Sequence, residues 1–232
     1  MNTNRLRWLW QPLTAAHPVS ESEFWRPPMR LSTFLLVMLL VKAANLLLTD
    51  RIRVAFPPGS PVFHWMQVCT SLATGLLVFL ALLWLLSRVC LKVDTPRLAL
   101  PLMVGYLVVA TGNATAVSTA MVMSHLLVNQ SQEFLIVNLG MTFVMVVLVF
   151  SLWYQIADRH LPGGGFDFPP SEAPPGRPPQ WFDYLFIAFN ISALVGPPQS
   201  LRTRPIKALI MAPTSVSLVL LILAVARMIQ AT

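Results

Sequence analysis

The chain has 232 residues and a formal net charge of +7, but only 11% of its residues are charged and 56% are hydrophobic. A soluble domain of average composition carries about 25% charged residues, so an ordinary water-soluble fold is excluded. The mean hydropathy of +0.67 likewise excludes disorder for the bulk of the chain.

Charge placement says more than charge count. Residues 54–87, 98–132, 134–157, 184–201 and 208–226 contain no Asp, Glu, Lys or Arg, in runs of 34, 35, 24, 18 and 19 residues. A helix needs about 20 mostly apolar residues to cross a bilayer. A sixth apolar stretch, 31–49, is broken only by Lys42. The expected fold class is all-α, a polytopic membrane helix bundle with five full spans plus one short helix. Segments of about 10 residues with alternating hydropathy, the mark of a membrane β-barrel, do not occur.

Residues 1–30 carry Arg5, Arg7, Arg26 and Arg30 with Trp8, Trp10 and Trp25, and the first apolar run begins only at Leu31. This reads as a cytoplasmic, interfacial leader anchored by Trp and Arg. Residues 31–160 form a four-helix transmembrane region with spans at about 31–49, 63–87, 98–128 and 134–157. The last of these ends in Trp153, Tyr154, Asp158, Arg159 and His160, an interfacial signature. Residues 161–180 hold seven Pro and four Gly and read as an extended, semi-rigid linker. Beyond it, 181–232 comprises a short apolar helix ending at Gly196-Pro197-Pro198 and a last span at 208–229.

The short helix could cross the bilayer or re-enter on one side. With the N-terminus inside, a re-entrant segment puts twelve Lys/Arg inside and three outside, and a full span puts ten against five. Both counts favour an inside N-terminus and the first is the better asymmetry. The basic surplus is thus assigned to orientation and anionic lipid contact, with no nucleic-acid partner.

Lys42 lies near the middle of the first span, where a charged side chain costs about 2.5–3.5 kcal/mol on insertion scales. It reads either as a pathway or partner-binding residue or as a lysine bonded to carbonyls in the bundle, with Asn45 one turn on in the same seam. In the third span Thr111, Thr115, Ser118 and His125 share one helical face and Asn113 stands apart. That face is expected to make hydrogen bonds between helices, and the Gly112, Ala116, Ala120 line to pack closely. Asn138 and Thr142 make a similar short seam in the fourth span. Cys69 and Cys90, 21 residues apart on one helix, are expected to be free thiols. No nucleophile elbow, phosphate loop or metal-ligand spacing is present, so no catalytic, cofactor or metal residues are assigned and the chain is read as a non-enzyme.

The segment Phe182-Asp183-Tyr184-Leu185-Phe186-Ile187-Ala188-Phe189-Asn190, then Ser192-Ala193-Leu194-Val195-Gly196-Pro197, then a last helix closing in Ala224-Val225-Ala226-Arg227-Met228-Ile229, resembles the pore half of a two-transmembrane potassium channel. The whole chain is similar to an uncharacterised group of bacterial multi-span membrane proteins with four spans, a Pro-rich linker, an Asp-Tyr-Leu short helix and a last helix ending in Ala-Arg-x-Ile. The resemblance implies a pore-loop-like module in a bacterial inner membrane. Asn190, Ser192, Val195 and Gly196 would line its narrow part, and Arg202, Arg204 and Lys207 would stand at its mouth. A potassium filter reads Thr-Val-Gly-Tyr-Gly; here the Tyr and second Gly are missing, so a degenerate, non-selective or vestigial channel is implied. The competing reading is a structural or accessory subunit that binds another membrane protein. Lys42 and His125 remain the candidate polar residues within the spans. The lipid bilayer, further copies of the chain and a membrane-protein partner are the associations these readings admit.

Overall fold

The computed structural model describes residues 31–55, 60–86, 99–123, 132–161, 164–168, 179–197, 200–201 and 203–230. Five long helices, α1 (Leu31–Ala55), α2 (Pro61–Leu86), α3 (Ala99–Met123), α4 (Gln132–His160) and α6 (Arg204–Gln230), are each long and apolar enough to cross a membrane. A sixth helix, α5 (Trp181–Ser192), is short. Two-residue strands β1 (Phe166–Asp167) and β2 (Ser200–Leu201) pair antiparallel, with Phe166 opposite Leu201 and Asp167 opposite Ser200. The chain is a multi-pass helical membrane protein.

The ends follow local chemistry. Ser60 starts α2: its hydroxyl accepts the Phe63 N–H and its carbonyl the His64 N–H, with Pro61 in the first turn where a missing N–H costs nothing. Thr203 starts α6, its carbonyl accepting from Lys207, so Arg204 and Pro205 are helical. The expected start at 208 is therefore four residues late: Pro205 is a breaker inside a helix but is tolerated in its first turn. Helix α1 likewise runs past Asp50-Arg51 to Ala55, and Arg51 lies over the Phe134 ring at the start of α4, 5.7 Å from its centroid.

Helix α4 is the centre of the bundle. Half of its apolar span is buried, against 17% for α2, which packs on α1 and α3 and leaves its far side open. Val149, Phe150, Leu152 and Tyr154 of α4 join Phe34, Met38, Tyr106 and Leu107 in one continuous core. Two polar ties cross it: the Tyr106 hydroxyl donates to the Met38 carbonyl (2.9 Å), and Trp153 Nε1 to Thr111 Oγ1 (3.0 Å).

The short helix does not cross. Its twelve residues span about 18 Å, well below a hydrocarbon core of about 30 Å. Tyr184, in its first turn, bonds to Asp158 at the end of α4, and Phe189, near its far end, packs edge-to-face on Phe143 inside α4. Helix α5 thus dips alongside α4 from that end. The chain then returns to the same end, where β2 pairs with β1 and Ile206 of α6 abuts Gly165. Within 181–203, α5 leads away from that end and β2 lies back at it. Five crossings put Leu31 and Gln230 at opposite ends of the bundle. In a background with Cys69 and Cys90 replaced, cysteines at Phe168 and Ser200 are expected to react with an impermeant maleimide from one side of sealed vesicles, and a cysteine at Ser60 from the other; a Ser200 that labels with Ser60 would contradict this path.

Candidate functional site

Two polar clusters stand out, one at the foot of α5 and one at the middle of the spans. The first is built on Asp158, which is 2% exposed. Its Oδ1 accepts the backbone N–H groups of Gly165 (2.6 Å) and Phe166 (3.0 Å), and its Oδ2 accepts the Tyr184 hydroxyl (2.7 Å). Tyr184 packs edge-to-face on both Phe166 and Phe168, and Tyr154 packs on Phe166 from α4. Trp181 Nε1 donates to Ser151 Oγ (3.1 Å), and Asp183 Oδ2 accepts the Gln180 N–H at the start of α5. The Asp-Tyr pair that carried the sequence resemblance therefore starts the short helix and fastens it to α4. Asp158, part of the interfacial signature that ends α4, is also a buried anchor. Gly164 donates its N–H back to the Leu161 carbonyl (3.0 Å) and Phe166 lies in the core, while 162–163 and the rest of the Pro-rich run, 169–178, lie outside the described residues.

The loop residues expected to line a pore do not converge within one chain. Asn190 donates to the carbonyl of Phe186 in its own helix (2.9 Å). Ser192 is buried with its hydroxyl unpartnered. Val195 is 75% exposed and Gly196 sits beside it at φ +99. The tip is closed by backbone bonds: Leu194 N–H reaches the Ile191 carbonyl (3.1 Å) and Val195 N–H the Asn190 carbonyl (3.0 Å), with Leu194 at φ 61. This is a Schellman cap with leucine where glycine is usual. Leu194→Gly is expected to raise stability by about 1 kcal/mol by relieving the left-handed strain, read as a higher midpoint of thermal unfolding in detergent. Arg204 and Lys207 are exposed at the start of α6. Arg202 and His125 lie outside the described residues.

The second cluster joins α1, α2 and α3 at the middle of their apolar windows. Lys42 Nζ donates to the Thr70 carbonyl (2.9 Å) and to Thr74 Oγ1, whose own hydroxyl donates to the same carbonyl (2.6 Å). Asn45 Nδ2 donates to Thr70 Oγ1 (3.2 Å), and Asn113 Nδ2 to Asn45 Oδ1. Asn113 is 3% exposed and its Oδ1 has no partner. It lines a cavity of about 10 Å³ with Lys42, Asn45, Cys69 and Tyr106, room for about one water. Helical spacing sets this up: Lys42 and Asn45 fall on one face of α1, and Thr70 and Thr74 on one face of α2. The Lys42–Asn45 seam is present as expected, while Asn113, which the sequence sets apart, is its inner end. In α3 the hydroxyls of Thr111, Thr115 and Ser118 donate to carbonyls one turn back. The bond between helices expected of that face is seen at Thr111, which accepts from Trp153.

The outer end of this seam opens on the bundle's surface. Thr74 is exposed at the edge of the open face of α2 that carries Ser71, Gly75, Val78, Phe79 and Leu82. A Cβ built on Gly75 meets nothing within 4 Å. Among the described residues no cluster of three His, Cys, Asp or Glu side chains comes together. No protein-family model, curated protein or solved structure matches the chain.

Proposed function

We propose that the chain is a structural or accessory subunit of a bacterial inner membrane that binds another membrane protein along α2. The observation that carries this reading is the open face of α2. Lipid explains exposed Leu72, Val78, Phe79 and Leu82, while Ser71, Thr74 and Gly75, small or hydroxyl-bearing and exposed on the same helix at the middle of a span, fit a helix contact better. Helices associate in lipid where small residues let backbones approach and hydroxyls bond across the contact. The path of 181–203 supports a cytoplasmic N-terminus, since it gathers Arg159, Arg204 and Lys207 at the end of the bundle where α1 begins.

A photo-crosslinking residue at Val78 or Leu82, in native membranes, is expected to give one discrete adduct whose mass gain is not that of a second copy. The same residue at Leu221 on α6 is the control. Absence of a protein adduct at both α2 positions would sink the reading.

A channel-like module is the second reading, favoured by the path of 181–203, in which α5 leads away from one end and β2 lies back at it. It requires several copies arranged around the exposed tip at Val195 and Gly196. Native mass spectrometry and ion flux in proteoliposomes decide it: a closed ring with flux supports it, and a single copy without flux removes it.

A further inference from the structure

We infer that the helix docking on α2 carries a carboxylate, Asp or Glu, at the middle of its own span, and that this group pairs with Lys42. The inference rests on the reading of α2 as a docking face and names the chemistry of the partner.

Lys42 stands at the centre of the apolar window Ser32–Arg51, and Thr74 at the centre of Phe63–Leu86. The ammonium is held by two neutral oxygens of α2, the Thr70 carbonyl and Thr74 Oγ1. Those bonds satisfy N–H donors and fix the side chain, but they do not neutralise its charge. Ionisable groups at this depth pair with one another or with backbone carbonyls, and among the described residues only the second has been met. The side chain is half-buried, and its bond to Thr74 lies at the protein surface. Thr74 is itself exposed at the edge of the open face of α2. The positive charge is thus presented where a docked helix would lie, with Gly75 one residue on leaving room for close approach.

The chain does not supply the missing charge from its described residues. Asp50, Glu133, Asp158, Asp167 and Asp183 all stand at the ends of helices or between them. A second copy docked through the same face would set Lys42 against Lys42 across the two-fold axis. An anionic lipid headgroup stays at the interface, half a bilayer away. A different protein's helix with a mid-span carboxylate fits all three constraints.

The test uses the full chain in phosphatidylcholine vesicles at low peptide-to-lipid ratio. The probes are three dye-labelled poly-leucine helices of about 20 residues, with Glu, Gln or Leu at the centre, and energy transfer to a donor on the chain reads association. The Glu helix is expected to bind about tenfold more tightly than the Leu or Gln helix. Lys42→Met should remove that preference and Lys42→Arg should keep it. Lys42→Gln serves if the Met variant does not fold, and Gly75→Leu should weaken all three helices. If the wild type binds the three helices alike and Gly75→Leu weakens them, the docking face stands and the carboxylate inference falls. A Glu preference that survives in Lys42→Met overturns the inference as well. If none of the three helices binds, both the inference and the docking face fall.

Discussion

Replacing Asp158 by Ala is expected to destabilise the chain by about 3–5 kcal/mol, more than any other single polar substitution proposed for it. The carboxylate accepts three bonds, from Gly165, Phe166 and Tyr184, and it is buried. Alanine leaves two backbone N–H groups and a phenol facing a void, and each unsatisfied buried donor costs about 1–3 kcal/mol. Asp158→Asn keeps an acceptor for the backbone pair and loses the charge-assisted strength, so about half the effect is expected. Tyr184→Phe removes one bond of the three and should cost about 1.5 kcal/mol. Thermal unfolding in detergent micelles ranks the three variants. A cysteine at Val195 adds a local readout, since release of α5 from α4 changes its maleimide reactivity before the spans unfold. An Asp158→Ala protein as stable as wild type would mean that the short helix is held by its aromatic contacts alone.

The second large effect is expected at Gly165. A Cβ there would lie 2.5 Å from Ile206 Cγ1 and 2.6 Å from its Cδ1, and Ile206 is fully buried. Gly165→Ala should cost about 1–3 kcal/mol through overpacking, and Gly165→Val more. Ile206→Ala alone should cost about 2–5 kcal/mol through its cavity. The double variant Gly165→Ala, Ile206→Ala is then expected to be more stable than the sum of the two single losses, because the new methyl enters the space the isoleucine leaves. Additive losses in this cycle would show that the two sites do not touch. The contact matters because it seats the start of α6 on the residues leaving α4.

Much of this fold is legible in the sequence because a bilayer leaves few choices. A run without charges and long enough to cross becomes a helix, since its backbone must bond to itself. That argument places all five spans to within a few residues. Their ends are harder to read: Asp50-Arg51 and Arg204-Pro205 look like stops, but each lies in a helical turn near an interface where charge and proline are tolerated.

The two clusters differ in legibility for a physical reason. Lys42 and Asn45 announce themselves, because polar groups in the middle of an apolar run carry a cost that something must offset. Their partners do not: Thr70, Thr74 and Asn113 become partners only when three helices settle into one register. Asp158 gives no such sign of its burial, since a carboxylate at the end of an apolar run beside Trp153, Arg159 and His160 is what an interfacial residue looks like. The signal that it is buried is spread over Gly165, Phe166 and Tyr184, and Gly164, whose φ of 78 helps the chain turn back, is hidden in a segment that composition marks as a linker.

The Asp158 anchor also fixes an order of assembly. Translation delivers Asp158 before the donors at Gly165, Phe166 and Tyr184, the last of them 26 residues later. Until Tyr184 arrives, the bond that fastens α5 to α4 cannot form, and the α5 groove against Phe143 stands unfilled. Helix α5 has too few residues to be threaded across the bilayer as a crossing of its own. Its seat exists only once α4 is in place, and Ile206 of α6, further along the chain, closes against Gly165 like a latch.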